Sequence, residues 1–188
     1  AMDEALVIRA QQGDRGAFES LTRAHYTRLY RVAKSILRDR HTAEDATQQA
    51  FLDIWRYIRR LREPGKFDGW SYRLLVHACY AEAKRTKPRI GEVESLSADI
   101  VSTVDAYSAL ADRDQLEHAF RQMSLDHRTV IVLRHLIGMT PEEVADLLGV
   151  PRQTVYSRLR RAEAALQSAL QADARLTGLP TPPQEVVR

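Results

Sequence analysis

Between residues 17 and 37 the apolar side chains Phe18, Leu21, Tyr26, Leu29, Tyr30, Val32, Ala33, Ile36 and Leu37 recur at intervals of three and four. That spacing lines one side of an α-helix and does not fit the strict alternation of a half-buried strand. The period returns at 43–58, where Ala46, Ala50, Phe51, Ile54 and Ile58 form the apolar stripe, and no convincing strand pattern occurs anywhere. The expected fold class is therefore all-α. Apolar residues make up 44% of the 188 positions, enough to fill two small helical cores.

Turn residues divide the pattern. Gly13-Asp14-Arg15-Gly16 separates a short helix at 3–12 from the long one at 17–38. Thr42 is placed to cap the next helix, which runs to about Arg60, and Pro64-Gly65 closes that segment. A further helix spans about Asp68 to Arg85. Residues 91–112 then lose the period. From 91 to 117 the acids Glu92, Glu94, Asp99, Asp105, Asp112, Asp114 and Glu117 face a single base, Arg113. This reads as a solvated flexible linker between two domains. The organisation expected is a helical domain at 1–90, the acidic linker at 91–112, a second helical domain at 113–175 and a Pro-rich tail at 176–188. The second domain holds helices at about Leu116–Met123 and Leu125–Leu136 before the pair described next.

That pair is "TPEEVADLLGVPRQTVYSRLRR" at 140–161. Thr140 and Glu143 have capping-box spacing, Pro141 suits the first helical turn, and Gly149 suits a left-handed stop. Helix, glycine turn, helix is the helix-turn-helix pattern. On the second helix Val155, Leu159 and Ala162 share the core side, while Gln153, Ser157 and Arg160 lie opposite, flanked by Tyr156 and Arg161. Arg152 projects from the first turn, and the helix carries no acid before Glu163. Amide, hydroxyl and guanidinium groups without opposing carboxylates suit base edges and phosphates in a major groove. A solvated charged face is the competing reading.

The first domain has a basic block of its own. Arg56, Arg59, Arg60, Arg62 and Lys66 are opposed only by Glu63, and Lys84, Arg85, Lys87 and Arg89 follow. Phe67, Trp70, Tyr72 and Tyr80 lie between them. Cations interleaved with rings suit single-stranded or melted DNA. Tyr72 and Tyr80 are expected to be at least partly buried, and Phe67 and Trp70 to be exposed beside the Pro-Gly break. The net charge of +3 is too small to identify a polyanionic partner alone. The lone Cys79 excludes an internal disulfide, and the six histidines show no zinc spacing, so no metal or cofactor is expected. No nucleophile triad or phosphate loop supports an enzyme. Residues 2–20 contain no apolar run, and no window reaches a membrane-spanning length. A soluble cytoplasmic protein without membrane contact is expected.

Four ordered segments carry a resemblance. "AFESLTRAHYTRLYRVAKSIL" (17–37), "AEDATQQAFLDIW" (43–55), "FDGWSYRLLVHACYAEAKR" (67–85) and "MSLDHRTVIVLRHLIGMTPEEVADLLGVPRQTVYSRLRRAEAAL" (123–166) resemble bacterial RNA polymerase sigma factors of the sigma-70 family, extracytoplasmic-function group. The resemblance implies an N-terminal sigma-2-like helical bundle and a C-terminal sigma-4-like helix-turn-helix. It implies promoter-specific initiation with core polymerase, through the β′ clamp helices and the β flap, and control by an anti-sigma factor. Asp45, Gln48, Gln49 and Leu52 would form the polymerase-binding side of their helix. Arg59, Arg60, Arg62, Lys66, Phe67, Trp70, His77, Lys84 and Arg85 would contact the minus-ten region. Arg152, Gln153, Thr154, Tyr156, Ser157, Arg158, Arg160 and Arg161 would read the minus-thirty-five element. Three places depart from the family's common pattern: Gln49 replaces an acid, Val76-His77 replaces Arg-Asn, and Pro151 replaces a serine cap. A helix-turn-helix regulator that never meets polymerase, and a pure interaction protein, are the remaining alternatives.

Overall fold

The computed structural model describes residues 2–86 and 119–177. The expected acidic linker, the segment 113–118, Lys87, Arg89 and residues 178–188 of the tail lie outside the described residues. Seven α-helices are labelled here: α1 (Met2–Gln11), α2 (Arg15–Leu37), α3 (Arg40–Tyr57), α4 (Phe67–Arg85), α5 (Leu125–Ile131), α6 (Pro141–Leu148) and α7 (Arg152–Thr177). Short 3-10 turns at Ile58–Arg60 and Pro64–Lys66 join α3 to α4, and a π-helical turn at Val132–Leu136 continues α5. No strand occurs among the described residues.

Helix starts follow the strongest local acceptor. Asp14 caps α2, its Oδ1 accepting from the Ala17 N–H at 3.0 Å, while its Oδ2 takes the Arg9 guanidinium at 2.7 Å. The bond from Ala17 and the Arg9 charge hold its carboxyl below the ordinary value. The break is therefore shorter than expected, and Gly16 belongs to the helix. Asp39, not Thr42, caps α3. Its Oδ1 accepts from both the Thr42 N–H and the Thr42 hydroxyl, each at 2.8 Å. A carboxylate outcompetes a hydroxyl for this role, and Thr42 becomes the third residue of the first turn. α2 ends at Arg38, a non-glycine residue in the left-handed region (φ 63°) whose N–H reaches the Lys34 carbonyl.

The first unit packs α3 between α2 and α4, with α1 laid across α2. α3 turns Ala43, Ala46, Thr47, Ala50 and Ile54 inward, mostly short side chains that admit a close neighbour. α4 buries Tyr72, Leu75, Val76 and Cys79, and Arg28 of α2 lies over the Tyr72 ring at 5.4 Å. α2 supplies Leu21, Leu29, Val32 and Ile36, and His25 occupies a core position between them. Tyr26, counted in the apolar stripe, is instead 39% exposed. In the second unit, α5 and α6 pack on α7 through Val130, Leu133, Val144, Val155 and Leu159.

The two units touch. α4 packs on α6, and α2 packs on α5 and the π-helical turn. The Arg38 guanidinium lies 5.6 Å from the Phe120 ring centre across the same junction. Leu75 of α4 is fully buried in the core, so Leu75→Ala removes apolar contact and leaves a cavity. It should lower unfolding stability by about 3 kcal/mol in a denaturant titration, without changing helix content under native conditions.

Candidate polymerase and nucleic-acid interfaces

The helix-turn-helix forms as its sequence dictates. The Thr140 hydroxyl accepts from the Glu143 N–H at 3.2 Å, and the Glu143 carboxylate accepts from the Thr140 N–H at 2.7 Å. Gly149 takes the left-handed conformation (φ 65°) and donates to the Ala145 carbonyl. Pro151 precedes α7 without a side-chain cap. Its carbonyl accepts the Thr154 N–H at 2.9 Å and the Val155 N–H at 3.4 Å, so the backbone closes the first turn.

Val155, Leu159 and Ala162 are buried, which turns Arg152, Gln153, Arg160 and Arg161 outward. Thr154 and Ser157 are half-buried, and the Ser157 hydroxyl donates to the Thr154 carbonyl at 2.9 Å. Tyr156 is 48% exposed, and its hydroxyl donates to Glu142 at 3.0 Å. An acid from α6 therefore reaches a face whose own helix has none. Arg158 differs from its expected role. It turns towards α5 and pairs with Asp126 at 2.6 Å, away from the exposed side shared by Gln153, Arg160 and Arg161.

On α3 the side opposite the alanine stripe exposes Asp45, Gln48, Gln49 and Leu52 together. Leu52 is 59% exposed, a large apolar side chain left in water. Beside it runs a groove of about 610 Å³ between α2 and α3, lined by Phe18, Tyr26, Gln48, Phe51, Leu52 and Trp55. The Phe18 and Trp55 rings meet at 4.7 Å, and those of Tyr26 and Phe51 at 6.1 Å. Sequence reasoning missed Trp55 and Tyr26 here. Their helical spacing reads equally well as core, and only the relative rotation of two helices distinguishes the outcomes. Asp45 also pairs with Arg85 of α4 at 3.2 Å, which joins a residue expected to dock on polymerase to one expected to contact DNA.

The basic block is open to solvent at Arg59, Arg60, Arg62 and Lys66. Arg60 lies over the Tyr57 ring at 4.9 Å, and Lys66 pairs with Glu63 at 2.9 Å. Gln11, unsuspected from its sequence context, clamps this loop. Its side-chain amide donates to the Ile58 carbonyl at 3.0 Å and the Leu61 carbonyl at 2.7 Å. His77, Lys84 and Arg85 are exposed on α4, whereas Trp70, expected to be exposed, is half-buried against the core with its ring 6.2 Å from that of Phe67. Phe67 departs from expectation. It is 3% exposed and meets the His25 ring edge at 5.1 Å, so it anchors the start of α4 in the core and offers no ring for stacking.

His25 sits 4% exposed among Asp3 of α1, Arg28 of α2, and Phe67 and Asp68 of α4. Arg28 donates to its Nδ1 at 2.6 Å, so that nitrogen must be the acceptor and the ring is neutral with the proton on Nε2. Arg28 also donates to Asp68. Burial first, and the Arg28 charge second, push the imidazole below its ordinary value, and Asp68 and Asp3 only partly offset them. Among the described residues no group of three or more His, Cys, Asp or Glu is placed to hold a metal ion, and no helix is long and apolar enough to cross a membrane.

A histidine with a depressed native value binds its proton more readily when unfolded. Its contribution is complete above about pH 6.5 and is lost as pH falls from there towards the native value. The urea midpoint should therefore drop between pH 7.5 and 5.5 by more in the wild type than in His25→Leu.

Comparison with known proteins gives two matches in chain order. The family profile for sigma-70 region 2 matches residues 21–89, and that for sigma-70 region 4 matches 113–166. The RNA polymerase sigma-H factor of Pseudomonas aeruginosa is 27% identical over 181 residues, covering 90% of this chain and 94% of its own. The ECF RNA polymerase sigma factor SigM of Mycobacterium tuberculosis is 29% identical over 168 residues, covering 89% and 84%. Among solved structures, the sigma factor RpoE in complex with the anti-sigma factor NepR from Bartonella quintana shares the fold. It superposes with a TM-score of 0.67 at 20% identity, over 83% of this chain and 98% of that one.

Proposed function

This chain belongs to the extracytoplasmic-function group of the sigma-70 family of RNA polymerase sigma factors, and we propose how its residues divide that family's work. The family function is promoter-specific initiation: the sigma subunit binds core polymerase and promoter DNA, and the core polymerase makes the RNA. In this reading the chain acts in the cytoplasm and has no catalytic chemistry of its own. The observation that carries it is the presence of both matched regions in order, each with a polar face opposite a well-buried stripe.

Asp45, Gln48, Gln49 and Leu52 dock on the β′ clamp helices, with Leu52 filling an apolar recess of the partner and Asp45 meeting its cations. The exposure of all four on one side of α3 supports this. Arg59, Arg60, Arg62 and Lys66, with His77, Lys84 and Arg85, track the melted strand near the minus-ten element. Their shared exposure and the Gln11 clamp on the loop support it. Arg152, Gln153, Arg160 and Arg161 enter the minus-thirty-five major groove, and Tyr156 lies beside them. Arg158 supports that helix from behind. Two modest DNA contacts on one chain raise each other's effective concentration, so neither needs high affinity alone. Control by an anti-sigma factor completes the reading. The Bartonella relative is solved with such a partner.

Adding the protein to sigma-free bacterial core polymerase with a pool of promoter fragments, and sequencing the transcripts, tests the whole assignment. Specific start sites are expected. Failure both to bind core and to direct initiation would sink it. Arg160→Ala should weaken binding to the recovered minus-thirty-five element and reduce the log–log salt slope by about one. Asp45→Ala should lower core affinity and leave DNA binding by the second unit unchanged.

A further inference from the structure

Gln11 lies ahead of the segment that matches the family, which begins at residue 21, and no DNA or polymerase contact is assigned to α1. Its amide nitrogen spans 47 and 50 residues of chain to reach the Ile58 and Leu61 carbonyls, at 3.0 and 2.7 Å. A primary amide has two N–H groups, and both are used. These two carbonyls flank Arg59 and Arg60 in the chain, so one nitrogen fixes the backbone on each side of the two arginines. The Ile58 carbonyl also accepts the Leu61 N–H at 3.1 Å, which closes the 3-10 turn. Leu61 then leaves the helical region (ψ 106°), and its own carbonyl takes the Gln11 donor from α1.

The mount is firm on the α1 side. Val7 and Ala10 are fully buried, and the Arg9–Asp14 pair at 2.7 Å ties the end of α1 to the start of α2. α1 packs on both 3-10 turns. The Arg59 guanidinium lies over the same helix end, where a Cβ added at Gly13 would stand 3.4 Å from its Nη2. Arg60 is directed to the Tyr57 ring instead.

We propose that Gln11 is a positioning residue for promoter melting: from a helix that touches no DNA, its amide holds the Arg59–Arg60 backbone in the conformation that captures the separated strand. The proposal rests on the assignment of Arg59 and Arg60 to the melted strand. Capture competes with re-pairing of the duplex. A loose loop would have to be ordered at that moment, at a cost in conformational entropy, whereas a clamped loop is ordered when the protein folds. Gln11 carries no charge, so its loss leaves the general attraction to phosphates as it was.

The test uses the full chain with Gln11→Met, which keeps length and neutrality and removes both donors. Hydrogen exchange of the backbone amides at 58–63 should accelerate about tenfold, with the core of the first unit unchanged. With core polymerase on the promoter recovered by the transcription assay, the rise of 2-aminopurine fluorescence in the minus-ten region should slow about tenfold. Core affinity and the salt slope of duplex binding should not change. On a template already melted across the minus-ten region, where capture no longer competes with re-pairing, initiation should return close to the wild-type rate. A purely structural role would instead depress every one of these activities together, on melted and duplex templates alike, and that result would overturn the proposal. Unchanged exchange at 58–63 would overturn the clamp, and faster exchange with unchanged melting would overturn its role in capture. A wild-type chain that initiates nowhere would overturn the family assignment and the capture role with it, while the exchange result still decides the clamp.

Discussion

A helix in a small bundle has one side to give to the core, and here that constraint decides which side chains are left for partners. α3 gives its short side chains, Ala43, Ala46, Thr47 and Ala50, to the contact with α2 and α4. Alanine at the contact lets the axes approach and sets the rotation of α3 about its own axis. Once that rotation is set, Asp45, Gln48, Gln49 and Leu52 have only the outside left. α7 obeys the same rule. Val155, Leu159 and Ala162 face α5 and α6, and the guanidinium groups of Arg152, Arg160 and Arg161 take the remainder. The exposed polar faces are thus by-products of packing, and their stiffness is that of the core behind them.

The segment between α3 and α4 shows how an irregular stretch is held without a regular ladder. Two 3-10 turns cannot satisfy every carbonyl among themselves. Gln11 reaches across from α1 to take two of them, and Phe67 pins the far end by entering the core beside His25. The basic side chains of the loop are therefore mounted on a supported frame. His25 brings a histidine into an apolar setting, where Arg28 fixes its tautomer and Asp3 and Asp68 keep the surroundings from being strongly cationic.

Much of this was legible in the chain because it is set by local rules. Helical periodicity located the elements, with the ends of α3 about three residues from those expected and α7 running two residues into the expected tail, and the capping box at Thr140 and the glycine stop at Gly149 formed as their spacing requires. What escaped depended on competition or on rotation. Thr42 had the right spacing for a cap, but Asp39 stands three residues earlier and accepts more strongly. Phe67 lies beside a Pro-Gly break, which favours exposure, yet His25 offers it a ring edge and a cavity that no local pattern reveals. Arg158 sits in a run of arginines that look alike, and only Asp126, thirty-two residues earlier, singles it out. Docking of one unit on the other is a relation between surfaces, and periodicity within each helix carries no information about it.

Cys79 extends these relations beyond the molecule. The chain's one sulfhydryl is buried on α4 and holds its proton far above neutral pH. The thiolate is the form that oxidants and electrophiles attack, and the folded protein offers almost none of it. Thiol chemistry at Cys79 is therefore closed to the folded chain, and only unfolding or separation of the helices around it would open the sulfur to reagents.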